Sequence, residues 1–140
     1  MNAPLPRIIQ GGMGVAVSSW QLARAVALRG QLGVVSGTGI DTVVARRLQM
    51  GDPSGQLRAA FDAFPVPAIA QRVWERHYVA GGKAVNAAYK SKAVPSIRMP
   101  AALLDLSGLS NFAAVDLAKT GHAGQVGINL LEKVHLPNLA

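Results

Sequence analysis

The sequence predicts an α/β fold with a parallel sheet, mainly because two short apolar runs each lead into a glycine-rich loop. Residues 8–9 are both isoleucine and run into Gln-Gly-Gly-Met-Gly at positions 10–14, and a helix signal follows at Ser18. Residues 32–36 form a second apolar run, which leads into Gly-Thr-Gly at positions 37–39 and then a further helix signal. Strands that alternate with helices in this way favour parallel pairing with right-handed crossovers.

Five helices are expected from apolar spacing and from end signals. The first begins at Ser18, where Ser18 and Gln21 fit a capping box, and the second takes Asp41 as its N-cap. Asp52 and the proline after it open the third helix. The expected helices cover positions 18 to 29, 41 to 50, 52 to 64, 68 to 80 and 101 to 119.

Residues 81–83 and 90–92 are polar, and Pro95 and Pro100 bracket Ile97, so we expect a loop or irregular excursion over residues 81–99, with one short strand as an alternative. A third apolar strand is predicted over residues 126–131. The result is the opening of a partial (β/α)8 barrel: three parallel strands with a helical insertion between strands two and three. A complete barrel needs about 250 residues. We therefore interpret residues 1–140 as the N-terminal part of one incomplete domain, whose uncovered sheet edges would allow self-association.

Composition narrows the classes of function. Of the 140 residues, half are apolar and none is cysteine, which excludes disulfides, thiolate metal sites and a cysteine nucleophile. We expect no metal site. No uninterrupted apolar run approaches the roughly 18 residues that span a bilayer, and the N-terminus lacks the apolar segment of a signal peptide. These features predict a cytoplasmic protein that acts on a small molecule, with no membrane partner.

The formal net charge is +7, which raises the question of a nucleic-acid partner. The arginines are spread over several predicted helices, and aromatic residues are too sparse for a base-stacking platform. We therefore expect solvated helix faces and no nucleic-acid partner, with a basic binding module as an alternative.

The first glycine loop fits a dinucleotide fingerprint poorly. Its glycines at positions 12 and 14 match, but the third position is Val17, and the second strand ends in Val35-Ser36-Gly37 where an acidic residue should hold a ribose. A nicotinamide-binding domain is thus disfavoured. A tight turn without any ligand stays open as an explanation of the glycines.

Three segments together resemble the nitronate monooxygenase family, formerly called 2-nitropropane dioxygenases. They are Ile-Ile-Gln-Gly-Gly-Met-Gly at 8–14, Leu-Gly-Val-Val-Ser-Gly at 32–37, and Gly-His at 121–122 with Gly-Ile-Asn-Leu-Leu-Glu-Lys at 127–133. The resemblance implies an FMN-dependent (β/α)8 barrel that oxidises alkyl nitronates with molecular oxygen. Flavin-dependent enoyl reductases are relatives of that family and form the alternative.

By position, the resemblance makes Gly12, Met13 and Gly14 the segment whose main chain packs beside the flavin, and Asn129 the side chain that hydrogen-bonds FMN. Core packing is the simpler role for Met13, and satisfying local backbone groups is the simpler role for Asn129. The family's phosphate loops and catalytic histidine lie on later strands, so we expect weak FMN binding and impaired activity.

No catalytic residue is assigned from the sequence. His77 lies on a predicted helix face and is expected to pack, and His122 precedes the third strand on the side away from the expected site. His135 follows that strand without a visible partner for base catalysis.

Overall fold

The computed structural model describes residues 5–131. These residues contain five α-helices and two parallel β-strands. This confirms the predicted mixed α/β class, the number of helices and the parallel pairing. In chain order the elements are α1 (Trp20–Ala27), β1 (Gly33–Ser36), α2 (Ile40–Gln49), α3 (Gln56–Asp62), α4 (Pro67–His77), α5 (Ala101–Lys119) and β2 (Val126–Asn129).

The sheet has fewer strands than predicted. β1 and β2 pair in parallel, with Gly33 opposite Val126 and Ser36 opposite Asn129. The predicted first strand is reduced to a single parallel bridge between Ile9 and Leu32. The prediction of three strands is therefore wrong for the described residues, although the apolar run does lie beside β1.

Side-chain and loop acceptors explain why the first strand stops so early. The Val34 N–H donates to the Gln10 side-chain oxygen at 3.0 Å, and the Ser36 N–H donates to the Ser18 carbonyl at 3.0 Å. A continuing strand would have supplied backbone carbonyls at those positions. The chain can therefore leave the sheet after Gln10 without leaving β1 donors unpaired.

Helix α1 lies directly on β1, because small residues face each other across the contact. Ala23 and Ala27 are buried on α1. A Cβ at Gly33 would lie 1.9 Å from the Ala23 carbonyl oxygen, so only glycine allows this approach.

Helix α5 is the centre of the core. It contacts α1, α2, α3, α4 and β2, and its buried face includes Leu106, Leu109 and Ala113. Among the described residues α5 is also long and apolar enough, by length and composition, to cross a membrane, although 44% of that apolar window is buried inside the protein. Its contacts are those of a core helix.

The N-termini of α1 to α4 differ from the predicted ones by one to four residues, whereas α5 begins at Ala101 as predicted. Ser19, not Ser18, caps α1 and accepts a hydrogen bond from the Leu22 N–H at 3.4 Å. Gly39 is the N-cap of α2, which places Asp41 in the first turn. Glycine at φ 78° completes this cap without a side-chain hydrogen bond.

Asp52 precedes α3 rather than starting it. Helix α3 begins at Gln56, and the Asp52 carboxylate accepts hydrogen bonds from the N–H groups of Leu57 at 3.3 Å and Arg58 at 2.9 Å. Asp52 therefore satisfies donors of the first turn from outside the helix. Pro67 is the first residue of α4, where its missing N–H costs nothing.

Residues 81–99 contain no helix or strand, as predicted. They are held against α2 by reciprocal hydrogen bonds between the Gln49 amide and the main chain of Lys90, at 2.6 and 3.3 Å. Lys92 then forms an ion pair of 2.5 Å with Asp41, in which both side chains are largely buried.

Candidate functional site at the carboxyl end of the sheet

The carboxyl ends of β1 and β2 meet at one edge of the sheet, because the two strands are parallel. Ser36 and Asn129 end the two strands and are partners in the register. The glycine loop after Ile9 reaches the same edge. This edge is where ligands bind in folds with parallel strands.

Three of the four residues predicted from the sequence are in direct contact here. The Asn129 side-chain nitrogen donates to the Gly12 carbonyl at 3.0 Å and lies 3.2 Å from the Met13 sulfur. Gly12 and Asn129 are 117 positions apart in the chain. The glycine loop and Asn129 follow segments on either side of β1 and come together at its carboxyl end.

Asn129 also performs the simpler role considered for it, since its amide satisfies the carbonyl of Gly12. Its side-chain oxygen accepts no hydrogen bond from residues 5–131 and is left for another donor. Met13 has no packing role: its side chain is 79% exposed, so the core-packing interpretation is wrong. Gly14 lies beside this contact and accepts hydrogen bonds from the N–H groups of Val17 and Ser18, which closes the loop as a turn.

Two serines that sequence reasoning missed hold the loop in place. The Ser36 hydroxyl donates to the Met13 carbonyl at 3.2 Å, and the Ser18 hydroxyl donates to the Gly11 carbonyl at 2.9 Å. Both serines are buried. A polar residue at the carboxyl end of an otherwise apolar strand was the signal for Ser36, whereas Ser18 was taken for a helix cap.

Gly12 is the tightest position of the site. A Cβ there would lie 2.5 Å from Val34 Cγ1, 3.0 Å from the Val35 carbonyl oxygen and 3.2 Å from Asn129 Cβ. The loop thus crosses the end of β1 at a distance that only glycine permits.

Main-chain donors in the loop have no partner in the described part of the chain, at exposed Met13 and Gly14 and at buried Gly12. The N–H groups of Gly12, Met13 and Gly14 donate to no acceptor within residues 5–131. Unpaired backbone donors must be satisfied by water or by a bound group. Together with the free Asn129 oxygen, they provide both donors and an acceptor at this edge.

Neither of the two described histidines joins this site. His77 is buried on α4, where burial is the main cause that lowers its pKa from 6.5, with smaller contributions from Arg76, Lys92 and Lys90. His122 lies before β2, where its Nε2 is 2.6 Å from the Ala118 carbonyl oxygen and its Nδ1 accepts from the Gly124 N–H. His135 lies outside the described residues.

Residues 5–131 contain no group of three or more histidine, aspartate or glutamate side chains that could hold a metal ion. Four cavities of about 220 to 460 Å³ lie among the helices and the excursion, and none of these four is lined by Gly12, Met13 or Asn129.

Comparison of the chain with protein-family models, with curated proteins and with solved structures finds no match.

Proposed function

We propose that residues 1–140 are the N-terminal part of a flavin-binding (β/α)8 barrel whose activity resembles that of the nitronate monooxygenases. The observation that carries this proposal is the contact of Asn129 with Gly12 and Met13 at the carboxyl end of parallel strands. These are the residues that the family resemblance selects for FMN, and they are far apart in sequence. The order of bridge, β1 and β2 is also the order of successive barrel strands.

The residues present fit one edge of an isoalloxazine ring. That ring offers carbonyl oxygens and nitrogens that accept hydrogen bonds beside an N–H that donates. The free N–H groups of Gly12, Met13 and Gly14 supply donors, and the Asn129 side-chain oxygen supplies an acceptor. The exposed Met13 side chain offers an adaptable apolar surface against a flat ring.

Each residue then has a definite task. FMN, when bound, would accept electrons from an alkyl nitronate and deliver them to molecular oxygen. The loop N–H groups would orient the ring and stabilise negative charge that develops on it. Ser36 and Ser18 would hold the loop carbonyls so that these N–H groups keep their direction. Gly12 would keep the loop close to β1.

In this proposal the described residues contact the edge of the isoalloxazine ring. The resemblance places the loops that bind the FMN phosphate on later strands of the barrel. We therefore expect the chain alone to bind FMN with a Kd on the order of 1 mM or weaker. Riboflavin, which has the same ring and no phosphate, should bind about equally well. Tight FMN binding with turnover of a nitronate would contradict the interpretation of this chain as a part of the barrel.

An NMR titration of FMN into the ¹⁵N-labelled chain tests the proposal. Amide shifts should change at residues 11–14, at 36–38 and at Asn129. Asn129→Ala should weaken the response at least severalfold, whereas Asn86→Ala, an exposed position in the excursion, should leave it unchanged. Shift changes confined to other surfaces, or an equal effect of the two variants, would rule out the flavin site.

A further inference from the structure

A cavity of about 270 Å³ lies between α1, α2 and α5, on the helix side of the glycine loop. Its walls are mainly apolar and include Ile40, Val43, Val44 and Leu117. The volume equals the share of roughly nine water molecules in the liquid, which is enough for a small organic molecule. Gly12, Met13, Gly14 and Asn129 do not line it, although Ser18, which holds the glycine loop, does.

Trp20 provides a reporter group at this cavity. It is one of the lining residues, and its indole Nε1 is buried without a hydrogen-bond partner among the described residues. Because that nitrogen is closed to solvent, it does not itself donate into the cavity. Its N–H signal reports a change in the packing of the ring when the cavity is filled.

Arg47 provides an uncompensated positive charge at the same cavity. It lines the cavity and is partly buried, and its guanidinium forms no ion pair or hydrogen bond with residues 5–131. By contrast, Arg58 and Arg72 are paired with aspartates. A guanidinium beside apolar walls is suited to a carboxylate, which it can bind through two parallel hydrogen bonds.

We propose that this cavity binds a small carboxylic acid with a branched apolar body. The carboxylate accepts hydrogen bonds from Arg47, and the hydrocarbon lies against Ile40, Val44 and Leu117. An inorganic anion would leave the apolar walls uncovered, and a neutral hydrocarbon would leave Arg47 without a partner. The acid satisfies both requirements.

Titration of 4-methylpentanoate into the ¹⁵N-labelled chain tests the site, because the two indole N–H signals of Trp20 and Trp74 can be followed separately. The Trp20 signal should shift in a saturable manner with a Kd on the order of 1 mM. The Trp74 signal is the internal control and should stay in place, since Trp74 does not line this cavity. The neutral amide of the same acid should bind at least about tenfold more weakly.

Three variants separate binding from folding, each checked by circular dichroism. Arg47→Gln should weaken binding of the acid at least about tenfold. Arg46→Gln, which removes the same charge from a side chain that packs over Tyr89, should not. Val43→Phe should block the cavity without changing any charge. Any of three results would overturn the proposal. They are equal affinity for the acid and its amide, equal effects of the two arginine variants, and no saturable shift of the Trp20 signal at a tenfold higher concentration of the acid.

Discussion

Replacement of Gly12 by alanine is the most direct test of how the glycine loop lies on the sheet. The new methyl group would lie 2.5 Å from Val34 Cγ1 and 3.0 Å from the Val35 carbonyl oxygen. Carbon atoms in contact normally lie about 3.5 to 4.0 Å apart. Val34 has little freedom to rotate because valine is restricted at χ1, and the carbonyl oxygen is fixed in β1. The loop must therefore move away from the strand.

The loss of folding stability in Gly12→Ala can be worked out from these contacts. Overpacking of one methyl group costs about 1–3 kcal/mol. Movement of the loop also weakens the hydrogen bond from Asn129 to the Gly12 carbonyl, which is worth about 1 kcal/mol. We expect Gly12→Ala to lower the free energy of unfolding by about 2–3 kcal/mol.

Gly11 provides the matched control. A Cβ at Gly11 meets no atom within 4 Å, so Gly11→Ala should leave stability unchanged or raise it by up to about 1 kcal/mol. Urea unfolding followed by circular dichroism measures both variants. With a slope of about 2 kcal/mol per molar urea, the Gly12→Ala midpoint should fall by about 1 M. Equal midpoints for the two variants would refute the packing argument.

Three further substitutions test the helix layer. His77→Phe should reduce the loss of stability on acidification below pH 6.5, because burial lowers the pKa of His77 in the folded chain and only the unfolded chain takes up that proton there. Asp52→Ala should cost about 1–2 kcal/mol because two N–H groups of α3 lose their acceptor, whereas Asp62→Ala, which breaks an exposed ion pair, should cost less than about 0.5 kcal/mol. Lys92→Met should cost about 3 kcal/mol because the largely buried Asp41 carboxylate loses its ion-pair partner.

Urea midpoints check all three, with the His77 variant and the parent chain compared at about pH 7.5 and 5.5. An unchanged pH dependence in His77→Phe would show that His77 is not protonated differently in the folded and unfolded chains. Equal costs at Asp52 and Asp62 would contradict the capping role of Asp52. A Lys92→Met variant as stable as the parent would mean that the ion pair is not buried in solution.

The family resemblance selects both Asn129 and the glycine loop, and parallel pairing explains why they lie at the same edge of the sheet. Once Ile8-Ile9, the run before Ser36 and the run before Asn129 are taken as parallel segments, their carboxyl ends lie at one edge. The contact itself, which crosses the end of β1, does not follow from the pattern. Helix positions were predictable: apolar spacing placed α5 at residues 101–119, as observed.

The parts that sequence could not predict depend on side chains that replace backbone groups. Gln10 and Ser18 supply acceptors to β1, and this ends the first strand after one bridge. Nothing in the local pattern distinguishes such a glutamine from an ordinary strand residue. The ion pair between Asp41 and Lys92 was equally hidden, because it requires the path of an excursion that has no periodic pattern.

The side of β2 that faces away from β1 is where a further barrel strand, or a second copy of the chain, would pair. The carbonyls of Gln125 and Asn129 accept from the N–H groups of Gly33 and Gly37 in and beside β1. Since successive residues of a strand point their backbone groups to opposite sides, Val126 and Ile128 direct theirs away from β1. The sheet of the described residues has no strand on that side.

Amide hydrogen exchange at β2 can therefore show what covers this edge. In an isolated copy, the N–H groups of Val126 and Ile128 should exchange much faster than those of Gly127 and Asn129, which face β1. Protection of Val126 and Ile128 that grows with protein concentration would mean that a second copy pairs along this edge, as exposed strand edges are prone to do. Protection that is strong at every concentration would contradict the topology, since it would require a third strand beside β2 within the same chain.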